Sequence, residues 1–223
     1  MNNMQYTEKI IDSAERIVVD TSTLMARGFP QFIDNNKDYF LANNKKIYVS
    51  KSVYTEIAKH IGSSKPEKSK YAMKAVELMS TNKNIFQVEN CVLSDEEVAH
   101  AFADNQLLSE LTLHKSDYNQ LFLTNDRNLG CDAFDLNQLK SCKGRKVFVC
   151  YINEFGELQC CDCARPSTEE PKDINTETVV EPSVKTIKTD KTNWCFDWES
   201  GVMGASCVGI VLGLFKFYKK FFH

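Results

Sequence analysis

Proline and glycine are scarce in this 223-residue chain, at 5 and 9 residues, which excludes collagen-like and low-complexity architectures. Neither sign of charge is in excess: 27 basic side chains face 30 acidic ones, a formal net charge of -3. The broad positive field of a nucleic-acid coat protein is therefore missing, and any nucleic-acid contact has to be local. Met1 to Glu15 lacks the apolar core of a signal peptide, and with an odd cysteine count of 9 this points to reduced thiols in a cytoplasmic protein. Cys150, Cys160, Cys161 and Cys163 do not form the two paired hooks of a zinc module, and His60, His100 and His114 share no ligand spacing. The dinucleotide-binding and P-loop signatures are both absent.

What is present is an alternation of short apolar strands and helical stretches. Arg16 to Val19 is a β-branched run that ends on Asp20, and Ile47 to Val49 leads through Ser50 into a helix carrying Val53, Ile57 and Ile61 on one face. Gly62 to Glu67 is a polar break, after which Tyr71 to Met79 resumes helical spacing. Ile85 to Val88 is a third strand candidate, Ser94 caps a helix rich in early acids, and Asp104 to His114 is a further helix. Leu121 to Asp126 is again an apolar run ending on an acid. Val147 to Tyr151 and Glu157 to Cys161 read as a terminal hairpin or as an edge strand with a short return. The pattern predicts an α/β three-layer sandwich with a mainly parallel central sheet over residues 1–163.

Composition changes beyond that domain. Residues 164–193 hold three of the five prolines and no aromatic residue, the signature of a disordered linker. Residues 194–223 then form an apolar C-terminal helix. Gly201 to Phe215 is about 22 Å long as a helix, short of a roughly 30 Å hydrocarbon core, while Trp198 to Phe217 reaches about 30 Å. Membrane association follows in a spanning or an interfacial mode, with Trp194, Trp198 and Tyr218 as interfacial aromatics. Lys216, Lys219 and Lys220 argue against a span from a cytoplasmic domain. The stripe Gly201, Ala205, Gly209, Gly213 offers the alternative of a homo-oligomer or of docking in water.

Ligands of open parallel sheets collect beyond the carboxyl ends of the strands. Asp20 and Asp126 follow two such strands directly, Glu56 lies early in the helix after the second strand, and Asp104 opens the helix that leads to Asp126. Four carboxylates converging on one edge repel one another unless cations bind, and an oxygen-only cluster suits Mg²⁺ or Mn²⁺. A haloacid-dehalogenase-like phosphatase also begins with an acid after its first strand, but it needs a second Asp where Ser22 stands.

Asp20-Thr21-Ser22-Thr23-Leu24 and Thr124-Asn125-Asp126-Arg127-Asn128-Leu129 resemble the first and last acidic motifs of PIN-domain, VapC-like, metal-dependent ribonucleases. The stretch from Val49 to Ile57, with its glutamate Glu56, is similar to that family's second motif, and Asp104 to Leu108 to its third. The likeness covers Arg16 to Tyr151. It implies a PIN-like fold and an endoribonuclease, in a toxin or defence setting, that hydrolyses RNA with metal-activated water. In that reading Asp20, Glu56, Asp104 and Asp126 are catalytic and hold Mg²⁺ or Mn²⁺, with Thr21, Ser22 and Thr124 orienting carboxylates or waters. Arg127 and the Lys45, Lys46, Lys51 group hold substrate phosphates. RNA is the substrate and an inhibitory protein is a further partner. The third motif departs from the family pattern, with Leu108, Leu111 and Leu113 where small residues are usual, and Asp95, Glu96 or Glu97 are alternatives to Asp104. The alternative function is a catalytically inactive PIN-like scaffold that binds RNA or protein and is tethered to a membrane.

Overall fold

The computed structural model describes residues 3–89, 97–98 and 101–161. Six strands, β1 (Arg16–Val19), β2 (Ile47–Val49), β3 (Phe86–Val88), β4 (Gln120–Leu123), β5 (Val147–Ile152) and β6 (Leu158–Cys160), form one sheet in the order β3-β2-β1-β4-β5-β6. Every neighbouring pair is parallel except β5 and β6, which are antiparallel as the hairpin reading expects. The α/β class with a mainly parallel sheet is therefore present, and the seven α-helices fully bounded among the described residues are compatible with a three-layer arrangement.

Those helices are α1 (Asn3–Ser13), α2 (Thr21–Leu24), α3 (Phe29–Ala42), α4 (Lys51–Ile61), α5 (Pro66–Thr81), α6 (Asp104–Leu113) and α7 (Arg127–Asp135). Pro66 is the first residue of α5 rather than part of a break: an N-terminal position needs no backbone N–H, and the fixed φ of proline suits it. The same logic places Pro30 in the first turn of α3, whose Phe29, Phe32, Ile33 and Phe40 are fully buried. Glu97 and Val98 are helical, whereas Ala101 and Phe102, expected in the same helix, are not; Ser94, Asp95, Glu96 and His100 lie outside the described residues. So do the expected linker and the apolar C-terminal helix over 194–223. Among the described residues, no helix is long and apolar enough to cross a membrane.

The core explains why the first and fourth strands stood out. Ile17, Val18, Val19, Leu121, Phe122 and Leu123 are each at most 1 % exposed, because central parallel strands are covered on both faces and so tolerate unbroken apolar runs. The chain passes from β1 outward to β2 and β3, then returns to the other side of β1 to lay down β4. The strand order thus reverses between β1 and β4, and the carboxyl ends of these two strands flank a crevice at that switch point.

Candidate active site

Asp20 follows β1 and caps α2, while Asp126 follows β4 and caps α7, so the two acids stand at the switch point. Asp20 is only 3 % exposed and its carboxylate collects four donors. Thr21 N donates to Oδ1 at 2.6 Å. Ser22 N at 3.2 Å, Ser22 Oγ at 2.5 Å and Thr124 Oγ1 at 3.1 Å all donate to Oδ2. Burial nevertheless outweighs these bonds and pushes the Asp20 carboxyl above the ordinary range for aspartate. Asp126 is exposed and accepts from Asn128 N and Leu129 N through Oδ1.

Hydroxyls and one amide knit the two motifs together. Thr124 Oγ1 reaches from β4 to Asp20 and accepts from Asp126 N at 3.1 Å. Ser22 Oγ accepts from Asn125 N at 3.0 Å, and Thr23 Oγ1 donates to Asn125 Oδ1 at 2.9 Å. Thr21 Oγ1 extends the chain of contacts to α4 by donating to Glu56 Oε2 at 2.9 Å. Thr21, Ser22 and Thr124 therefore each donate a hydroxyl to a carboxylate of the expected set, and Asn125, which was not singled out from sequence, bonds Ser22 and Thr23.

Glu56 and Asp104 complete the edge. Burial and then the charge of Asp20 raise the Glu56 carboxyl, with the Thr21 hydroxyl opposing. Burial raises Asp104, and the charges of Asp20, Glu56, Asp126 and Asp132 raise it further, so Asp104 lies within electrostatic range of the other three expected acids. Asp132, one turn into α7, belongs to the same field and was missed. So was His60, whose Nε2 lies 3.6 Å from Glu56 Oε1 one helical turn away. Burial, Lys68 and Lys59 lower the His60 pKa, which keeps the ring neutral at neutral pH and leaves the Glu56 charge uncompensated by it.

The basic residues divide. Arg127 sits exposed beside Asp126 at the start of α7. Lys51 is at the same edge, at the start of α4, but its Nζ lies 2.6 Å from Glu97 Oε1. Lys45 and Lys46 are not substrate ligands of this site: they precede β2 and so lie at the opposite edge of the sheet. There Lys45 Nζ donates to Asp12 O and Ala14 O, and Lys46 Nζ to Asn84 O.

Whether a divalent ion fits is a question of donors and charge. Asp20, Glu56, Asp104 and Asp126 supply oxygen only, the preference of Mg²⁺ and Mn²⁺. Burial holds Asp20, Glu56 and Asp104 above their ordinary range, with like charge adding to it at Glu56 and Asp104, and a bound cation would offset both. The donor set fits. The acids are loosely spread, however, and among the described residues no group of three or more His, Cys, Asp or Glu side chains is close enough to hold an ion. No family model, no curated protein and no solved structure matches the chain. The likeness to PIN-domain nucleases accordingly rests on the four motifs and on where their acids stand.

Proposed function

We propose that this protein is a PIN-like metal-dependent endonuclease that hydrolyses RNA phosphodiester bonds at the β1/β4 switch point. The observation that supports the reading is the hydroxyl bridge at the switch point: Thr124 Oγ1 donates to Asp20 Oδ2 and accepts from Asp126 N, and Thr21 Oγ1 donates on to Glu56 Oε2, so three of the four expected acidic residues share one hydrogen-bonded edge. Asp20 and Asp126 would be the direct ligands of Mg²⁺ or Mn²⁺, and Glu56 and Asp104 would ligate it or hold its waters. A bound divalent ion supplies an activated water and charge stabilisation for in-line displacement at phosphorus. This chain's own residues do the rest: Thr21 and Thr124 fix the carboxylate orientations, and Arg127 holds a substrate phosphate by charge-assisted hydrogen bonds.

One observation favours the non-catalytic alternative. Asp20 and Asp126 both serve as helix N-caps, a structural duty sufficient to account for an acid at each position. The two readings part on metal. A nuclease is stabilised thermally by millimolar Mn²⁺ and cleaves labelled single-stranded RNA in its presence, with Asp20→Asn losing both effects. A scaffold shows neither.

A further inference from the structure

A cleft of about 380 Å³ opens beside the acidic edge, lined by Thr124, Asn125, Arg127, Tyr151 and Cys161. Its wall is continuous with the candidate active site, because Thr124 is the residue that bonds both Asp20 and Asp126. The lining residues divide into two kinds. Thr124 is committed to the acids, and Asn125 is clamped to β5, its Nδ2 donating to Ile152 O at 2.8 Å and its Oδ1 accepting from Ile152 N at 3.2 Å. These form a rigid floor. Arg127 and Tyr151 are exposed, and among the described residues neither side chain has a hydrogen bond or ion pair.

A planar phenol and a guanidinium presented together over a fixed polar floor match one chemistry well. The ring offers a face for an unpaired base, and the guanidinium a bidentate grip on the adjoining phosphate. We infer that this cleft is a nucleotide subsite: a base next to the scissile phosphate stacks on Tyr151 while Arg127 holds the neighbouring phosphate. The inference rests on the nuclease reading for the identity of the ligand and deepens it to a substrate class. The substrate is single-stranded at this position, because a base in a duplex already has both faces stacked and cannot offer one to Tyr151. Tyr151 is solvent-exposed on β5, so its replacement leaves the core packing untouched.

The test is binding without cleavage. The full chain, in EDTA, is titrated into a fluorescently labelled short single-stranded oligoribonucleotide, the same strand annealed to its complement, and an abasic strand of equal length, with anisotropy as the readout. The subsite predicts that Tyr151→Leu weakens single-strand binding roughly 5- to 100-fold, the span typical of one base–aromatic stack, whereas Tyr151→Phe retains wild-type affinity. The Tyr151→Leu effect vanishes on the abasic strand and on the duplex. Arg127→Ala weakens all strands alike and lowers the slope of log affinity against log salt by about one. Equal affinities of wild type and Tyr151→Leu for the single strand, an equal loss on the abasic strand, or no binding by wild type overturns the subsite. Cleavage by wild type and Asp20→Asn, run in parallel with Mn²⁺, reports on the nuclease reading separately. Loss of the Tyr151 effect with cleavage intact sinks the subsite alone, and a Tyr151 effect without cleavage sinks the nuclease alone.

Discussion

Thr124 donates its hydroxyl to Asp20 Oδ2 at 3.1 Å across 104 residues of sequence, from the end of β4 to the end of β1. Because the same oxygen accepts from Asp126 N, one threonine couples the two acids that flank the switch point. Thr124 and Asp20 are 2 % and 3 % exposed, so the bond between them is not replaced by water when the hydroxyl is removed. Thr124→Val is therefore expected to lower stability by about 1–3 kcal/mol through the unsatisfied groups it leaves behind. Thr124→Ser, which keeps the hydroxyl, is expected to lose less. Urea denaturation of the two variants checks this, and equal losses would show that the methyl packing matters rather than the bond.

The raised carboxyls give a pH signature. An acid whose folded pKa is raised binds its proton more tightly in the native state, so it penalises folding at neutral pH and the penalty fades as pH falls towards the ordinary carboxyl range near about 4. Asp20, Glu56, Asp104 and Glu110 all act in this direction. His60, with its pKa lowered, opposes them below about pH 6.5, since the native state resists its protonation. Glu15 is lowered by the Asn119 backbone amide and Arg145, and its contribution is lost only in stronger acid. The difference between Asp20→Asn and wild type isolates one group from this mixture. Asp20→Asn is expected to be the more stable protein at neutral pH without metal, with the gap closing as acid neutralises the wild-type carboxyl. Melting temperatures across that pH range test it, and a pH-independent gap would contradict the burial cost assigned to the Asp20 charge.

Close packing makes a third prediction at the loop between α2 and α3. A Cβ at Gly28 would stand 1.9 Å from the carbonyl oxygen of Asn153, in the β5–β6 turn. Gly28 has φ -81, so the obstacle is steric and not conformational. Gly28→Ala is expected to destabilise by about 1–3 kcal/mol, as overpacking does. Gly62→Ala serves as the control, because the nearest atom there is 3.7 Å away and nothing has to move. Thermal melts that rank the two equally would show that the turn yields freely.

Legibility in the sequence followed burial. β1 and β4 were readable because both faces of each are covered, which makes their sequences unbroken apolar runs, and because each run stops on an acid that caps the next helix. The helix α3 was not read. Gly28, Phe29 and Pro30 look like a turn, and the polar Asn36 interrupts the apolar face, although its Nδ2 is satisfied by Phe32 O at 2.8 Å within the helix. His60 is set aside in the sequence for lack of ligand spacing because its relevance is proximity to Glu56 at one helical turn, not a pairing with another histidine. Lys45 and Lys46 were grouped with Lys51 by closeness in sequence. A strand lies between them, and about 3.3 Å per residue over β2 separates the two edges of the sheet.

The central claim is that the four acids at the switch point form a metal-dependent phosphodiesterase, and cleavage tests it most directly. Labelled single-stranded RNA is incubated with Mn²⁺ and either wild type or Asp20→Asn, alongside melting curves that establish that both proteins are folded. Metal-dependent cleavage by wild type, abolished in a folded Asp20→Asn, is the predicted result. Cleavage that persists in Asp20→Asn, or a folded wild type that leaves RNA intact at every Mn²⁺ concentration, contradicts it.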